Sequence, residues 1–170
     1  MKNTKHKADI EIDISCNHSD WENEGAGLFS VVKDCCIKAI QKTSINENTD
    51  SIEVSILLTS DEFIKELNTN YRSKEKPTNV LSFPSNEFQA GNYEDIEDYI
   101  VLGDIILALE TIKCEAAEQN KEFMDHLRHL VIHGTLHLLG YDHIEENQAE
   151  AMESLEISLL TEMGIENPYS

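Results

Sequence analysis

Five of the chain's seven histidines fall between His126 and His143. The densest part reads HGTLHLLGYDH, from His133 to His143. His133 and His137 are four residues apart, which on a helix places them one turn apart on the same face. Two imidazoles so placed can reach one metal ion. On a continuous helix His143 would lie about 15 Å further along the axis than His133. That is too far for a site whose Zn–N bonds are about 2.1 Å. Gly140 removes the difficulty, because glycine ends helices in a left-handed conformation that turns the chain back. The spacing therefore predicts a zinc site at a helix end and the following turn. Its ligands are His133, His137 and His143, with one Zn2+ per chain. Three imidazoles and an open fourth position make a catalytic arrangement, since structural zinc sites are usually filled by four protein ligands. Nickel or copper would suit the same donors.

The pattern H-x3-H-x2-G-x2-H is the metzincin peptidase spacing with one change. Those enzymes carry a glutamate base after the first histidine. This chain has Gly134 there. A zinc peptidase is thus a rival reading with its ligands present and its base missing. Asp104 and Asp142 are the nearest candidate carboxylates. Asp142 would either orient a histidine ligand or act as a turn residue. Asp104 lies inside an apolar run, so it is expected to be paired or close to the site, because an unpaired buried charge is costly. His129, a turn before His133, is too far along a straight helix to share an ion with both His133 and His137. It reads as a supporting or structural residue.

The elements that position these residues follow from periodicity. Ile10, Ile12 and Ile14 alternate with polar residues as a strand, and Leu28, Val32, Cys35 and Ala39 follow helical spacing. Ile52, Val54, Ile56 and Leu58 form a second strand. Thr59 and Glu62 have the capping-box spacing that starts a helix, and Pro77 blocks its continuation. Val80, Leu81 and Phe83 form a short strand. Ser85 to Asp98 reads as an exposed acidic loop, and Tyr99 to Leu109 as a central strand. Three helices follow, about Glu110–Glu118, Phe123–Leu139 and Glu145–Met163, with Gly164 capping the last. The order β-α-β-α-β-β-α-α-α predicts a single α+β domain over residues 1–170: a small mixed sheet covered by about five helices.

At this point the sequence resembles a known family. HGTLHLLGYDH is similar to the signature of the YbeY endoribonucleases, the bacterial rRNA maturation factors. Leu67-Asn68 with Tyr71-Arg72, then Lys76 to Pro84, resembles that family's second block. Leu102-Gly103-Asp104-Ile105 resembles its third, and His129-Leu130-Val131 fits ahead of the histidine motif. The resemblance covers Leu67 to His143, while the first sixty residues match only in pattern. It implies a metal-dependent, single-strand-specific endoribonuclease. Such an enzyme acts in rRNA maturation, notably at the 3′ end of the small-subunit rRNA, and in ribosome quality control. It further implies that His133, His137 and His143 bind zinc and that Arg72 is catalytic. On its own, Arg72 reads as an ordinary surface cation. With the family blocks around it, its guanidinium suits the paired hydrogen bonds that hold two phosphoryl oxygens, which an ammonium cannot make. Zinc lowers the pKa of bound water toward 7, so zinc-bound hydroxide is the expected nucleophile on the phosphodiester.

Composition limits how RNA could be held. The chain has 170 residues, with 13 Lys and Arg against 33 Asp and Glu, a net charge of −20. At roughly 100–200 residues per domain this is one domain. So acidic a chain does not coat nucleic acid nonspecifically, because affinity for phosphates rests on cations. The positive charge concentrates in Met1 to Lys7 and Arg72 to Lys76, and no Lys or Arg follows Arg128. Glu145 to Glu166 holds seven acids. That helix reads as a solvated face, or as a dock for basic ribosomal proteins. The second rival is accordingly a non-catalytic ribosome-assembly factor with a structural metal. The expected partners are single-stranded rRNA and the ribosome, without DNA. Cys16, Cys35, Cys36 and Cys114 form no C-x-x-C and read as buried reduced thiols. The basic N-terminus is not followed by an apolar segment, and no run reaches the roughly 18 apolar residues of a membrane span. The expected compartment is cytoplasmic.

Overall fold

The computed structural model describes residues 7–72 and 78–170, the side chains of Tyr71 and Arg72 excepted. The strands are β1 (Asp9–Cys16), β2 (Ser51–Thr59), β3 (Val80–Pro84) and β4 (Tyr99–Ala108). The helices are α1 (Leu28–Gln41), α2 (Asp61–Arg72), α3 (Leu109–Glu118), α4 (Phe123–Leu138) and α5 (Glu146–Glu162). The expected order of elements holds, with short 3-10 turns added at Ser19–Glu24 and Ser44–Glu47. The first of these buries Trp21 completely, and its indole N–H donates to the Thr59 carbonyl at 2.8 Å.

The four strands form one mixed sheet in the order β1-β2-β4-β3. β1 and β4 each run parallel to β2, and β3 runs antiparallel to β4. Parallel neighbours need crossovers. α1 lies in the first, and α2 with β3 in the second. Alternation along the strands assigns the faces. On one face Ile52, Val54, Ile56 and Leu58 join Ile105, Leu107 and the apolar sides of α1 and α4 in the main core. Each such fully buried side chain contributes about 1.5–3 kcal/mol. On the other face Ile64 of α2 meets Leu81, Ile106 and Ala108 in a smaller cluster.

That second cluster covers only part of its face. Asp104 lies on the uncovered part, exposed, in a groove with Ser15, Ser55, Leu67 and Phe83. The expectation that Asp104 is buried, paired or near the histidines is therefore corrected. Its carboxylate is exposed, and the sheet separates it from α4.

Two further details differ from the sequence reading. The cap of α2 is Ser60, whose hydroxyl accepts from the Phe63 N–H at 3.2 Å; Thr59 instead ends β2, fully buried. The segment from Ser85 to Asp98 is a loop, but not a free one. Tyr93 is buried, donates its hydroxyl to the Leu139 carbonyl at 2.7 Å, and meets Phe88 edge to face at 5.6 Å between ring centroids. The loop is thereby pinned across the end of α4. Of the thiols, Cys35 and Cys36 are buried as expected, whereas Cys114 is exposed. Among the described residues no helix is long and apolar enough to cross a membrane.

Candidate metal centre

α4 ends in a turn built for Gly140. The Gly140 N–H donates to the His137 carbonyl at 3.1 Å, and the Tyr141 N–H to the Leu136 carbonyl at 3.0 Å. This pair of bonds is the Schellman closure. Gly140 has φ +97°, and a Cβ there would lie 2.4 Å from the Phe88 carbonyl oxygen. Only glycine fits. The chain then folds back, and the His143 ring centroid comes to 5.2 Å from that of His137 and 5.6 Å from that of His133. One ligand nitrogen from each of the three residues lies within 4.8 Å of the others.

The hydrogen bonds fix which nitrogens face inward. Nδ1 of His137 lies 3.0 Å from the Tyr141 carbonyl oxygen, which can only accept, so Nδ1 carries the proton. Nδ1 of His133 lies 2.6 Å from a carboxylate oxygen of Glu156, and the same reasoning applies. A neutral ring bonded in this way presents its lone pair at Nε2. Those two Nε2 atoms face each other at 3.0 Å. Two lone pairs at that distance repel unless a cation, proton or metal, lies between them. Two nitrogens bound tetrahedrally to one zinc at about 2.1 Å sit about 3.4 Å apart, so a small ring rotation admits the ion. Burial, with the neighbouring His133 and His143, pushes the His137 pKa down to about 4. Its ring is therefore neutral at pH 7, as coordination requires. The residues present fit a metal ion.

A second group, His129, His133 and Glu156, also has its ligand atoms within 4.8 Å. Its chemistry differs. Glu156 is completely buried, with one oxygen on His133 Nδ1 and the other 3.0 Å from His129 Nε2 and bonded by the Tyr169 hydroxyl. Here His129 Nε2 and His133 Nδ1 each face a Glu156 oxygen, so protons already occupy those two contacts. Burial alone would push the Glu156 carboxyl up, but the hydrogen bonds from His129, His133 and Tyr169 hold it down at about 2. This ionised carboxylate orients the His133 ring, as carboxylates behind histidine ligands do.

Glu156 was not singled out from the sequence; it was counted among the acids of a solvated face. A signal existed. Met152 lies four residues before it and Leu159 and Leu160 three and four after it, all buried, so Glu156 occupies a core position of α5. Asp142, the sequence's candidate for the orienting role, accepts from the His143 backbone N–H at 2.7 Å as a turn residue does, and stands 4.0 Å from the His143 ring. His129, read from its spacing as supporting or structural, bonds Glu156 through Nε2 at 3.0 Å.

Gly134 accounts for the absent glutamate. A Cβ on it would meet Ile105 at 3.1 Å, Ser82 at 3.2 Å and Val80 at 3.3 Å, and the Ser82 hydroxyl donates to its carbonyl at 3.0 Å. The helix lies directly on β3 and β4 there. A peptidase-type base there would make all three neighbours give by a few tenths of an ångström, which weighs against the peptidase reading.

The three histidines open on a cleft of about 770 Å³, whose other walls include Asn79, Ser82, Asn86, Glu87 and Ile144. No Lys or Arg lines it among the described residues. α2 ends at Arg72, and the chain reaches the cleft wall at Thr78. The Arg72 side chain, with Lys74, Lys76 and the basic stretch before Lys7, lies outside the described residues.

A family model described as Endoribonuclease YbeY matches residues 13–164. The chain is similar to Endoribonuclease YbeY of Sinorhizobium fredii, 43% identical with 94% of this chain and 92% of that one covered. It is similar also to Endoribonuclease YbeY of Bartonella bacilliformis, 41% identical with 95% and 98% covered. The solution structure of TM1509 from Thermotoga maritima shares the fold at TM-score 0.52 and 26% identity, covering 90% of this chain and 91% of that one. With the match running from β1 through α5, beyond the blocks legible by eye, the chain belongs to the YbeY endoribonuclease family.

Proposed function

We propose that this protein is a metal-dependent endoribonuclease that cuts single-stranded RNA. Its role is in rRNA maturation, at the 3′ end of the small-subunit rRNA, and in ribosome quality control. The observation that carries the reading is the pair of facing Nε2 atoms, 3.0 Å apart, in the wall of a cleft, in a chain whose relatives are named endoribonucleases. His133, His137 and His143 would hold one zinc ion. When bound, that ion supplies a water acidified toward neutral pH as nucleophile. Glu156 and the Tyr141 carbonyl keep the two α4 rings aimed inward. Arg72 would hold two nonbridging phosphoryl oxygens through its planar fork as charge builds on them. The working place is the cytoplasm, with the ribosome and its proteins holding the substrate.

The test uses purified protein on a single-stranded rRNA fragment. Wild type cuts it, His133→Ala and the chelated protein do not, and added zinc restores the latter. Cutting that persists in both controls would mean a contaminating nuclease and sink the proposal. Arg72→Lys keeps the charge and loses the fork, so it should bind zinc normally and cleave far more slowly.

A further inference from the structure

The segment that follows α5 reaches back to the metal centre. Gly164, with φ +77°, turns the chain, and the Ile165 N–H donates to the Leu160 carbonyl at 2.9 Å. Ile165 packs on the main core. A local turn, with the Tyr169 N–H donating to Asn167 Oδ1 at 2.8 Å, then presents the Tyr169 ring. That ring stands edge to face on His129, 5.5 Å between centroids at 89°, and its hydroxyl donates to Glu156.

The two oxygens of Glu156 have separate duties. Oε1 takes the His133 Nδ1–H, while Oε2 takes the His129 Nε2–H and the Tyr169 O–H. A buried carboxylate can rotate about its Cγ–Cδ bond unless both oxygens are held. The two donors on Oε2 fix that rotation and so fix where Oε1 points. His129 is committed to this by its own tautomer: its Nε2 carries the proton, and its buried Nδ1 has no partner among the described residues. Without the phenol, Oε2 keeps one donor, and a buried charge is left underbonded.

We propose that Tyr169 latches the metal centre: acting through Glu156, it sets the ring of His133, which makes Tyr169 and Glu156 positioning residues for the ion. This rests on the reading of His133, His137 and His143 as metal ligands. The latch couples the chain beyond α5 to metal retention. A partner that drew this segment away would loosen the ion without touching a ligand.

The experiment measures zinc affinity by competition with a chromophoric chelator, zinc release rate, and melting of the metal-free protein. Loss of such supporting hydrogen bonds typically costs 10–100-fold in metal affinity. Glu156→Gln, which keeps the shape and removes the charge, should fall in that range. Tyr169→Phe should lose about tenfold, near its lower edge, and release zinc faster, with a smaller loss of metal-free stability from the underbonded carboxylate. In the Glu156→Gln background Tyr169→Phe should add little, because its route is already cut. Tyr99→Phe, which removes an exposed phenol bonded to Glu53, should leave zinc binding as in wild type. If wild type binds zinc, His143→Ala does not, and Tyr169→Phe matches wild type in affinity and release, the latch is refuted and the metal site stands. A fall in affinity matched by an equal loss of metal-free stability also refutes it, since the tyrosine would then serve only the fold. A wild-type chain that takes up no zinc overturns both readings.

Discussion

Replacing Gly140 by alanine tests whether the turn after α4 builds the metal centre. Two costs follow from the structure. At φ +97° an L-residue is strained by about 1–2 kcal/mol. The new Cβ would also stand 2.4 Å from the Phe88 carbonyl oxygen and 2.9 Å from its carbon. Both atoms are backbone, so no side chain can swing aside. The loop must lift, and the bond from Tyr93 to the Leu139 carbonyl goes with it, another loss of about 1 kcal/mol. The sum is about 2–3 kcal/mol, or roughly 4–12 °C in Tm for a chain of this size. The matched control is Gly27→Ala. Gly27 has φ +84° with nothing within 4 Å of its Cβ position, so it carries the strain and no clash. The assay is urea unfolding of both metal-free variants, followed by zinc competition. Gly140→Ala should be the less stable by about 1 kcal/mol and should lose zinc affinity, because His143 reaches the site only through this turn. Gly27→Ala should bind zinc as wild type does. Equal stabilities together with equal zinc affinities would refute the reasoning.

His143 is 57% exposed at its side chain, so His143→Ala should keep the metal-free melting temperature within a degree or two, as surface changes do, while zinc binding is lost; calorimetry and metal analysis read both. Burial pushes Cys35 up to about 11 and Cys36 up to about 12, so at pH 8 a thiol reagent should label Cys114 first and Cys35 and Cys36 only on unfolding. The sign follows: above pH about 9 the unfolded thiols ionise while the folded ones stay protonated, so these two groups make stability fall as pH rises. Affinity for single-stranded RNA should depend only modestly on salt: three cations, Arg72, Lys74 and Lys76, give a slope of log K against log[salt] near −2, and a filter-binding slope steeper than about −4 would contradict it.

What was legible in the sequence is what lies close together along it. His133, His137, Gly140 and His143 belong to one helix end, so spacing alone predicts the turn and the approach of the third ring. Glu156 was not legible in that way, since it meets His133 from another helix, and the acids around it on α5 disguise it. Asp104 misled for a different reason. Ile106 and Ala108, on its own face, are hidden under α2, so the strand reads as apolar throughout although α2 stops short of Asp104. Tyr93 sits in an acidic stretch whose burial depends on a carbonyl 46 residues away, a contact that local pattern does not carry. Thr59 and Ser60 are adjacent hydroxyl residues, and either can cap; the length of β2 decides between them.

The charge acquires a specific meaning once the cleft is placed. A net charge of −20 repels a polyanion at a distance, and the cleft wall offers Glu87 and Asp142 but no cation among its described residues. On the proposed function, attraction for a scissile phosphate would come from the ion held by the three histidines and from Arg72. Such a field is short-ranged, falling off over a Debye length of about 8 Å at physiological salt. It rewards a strand already delivered to the cleft and does little to capture one from solution. Delivery would then fall to something else, and the protein surface has the complementary sign for it: the exposed acids at the start of α5, Glu145 before it and Glu146 and Glu150 within it, suit a basic partner. An enzyme so built would cut where a basic scaffold holds single-stranded RNA against it and leave free RNA largely alone. On that proposal, the acidity that would limit affinity for RNA would also supply selectivity among RNAs.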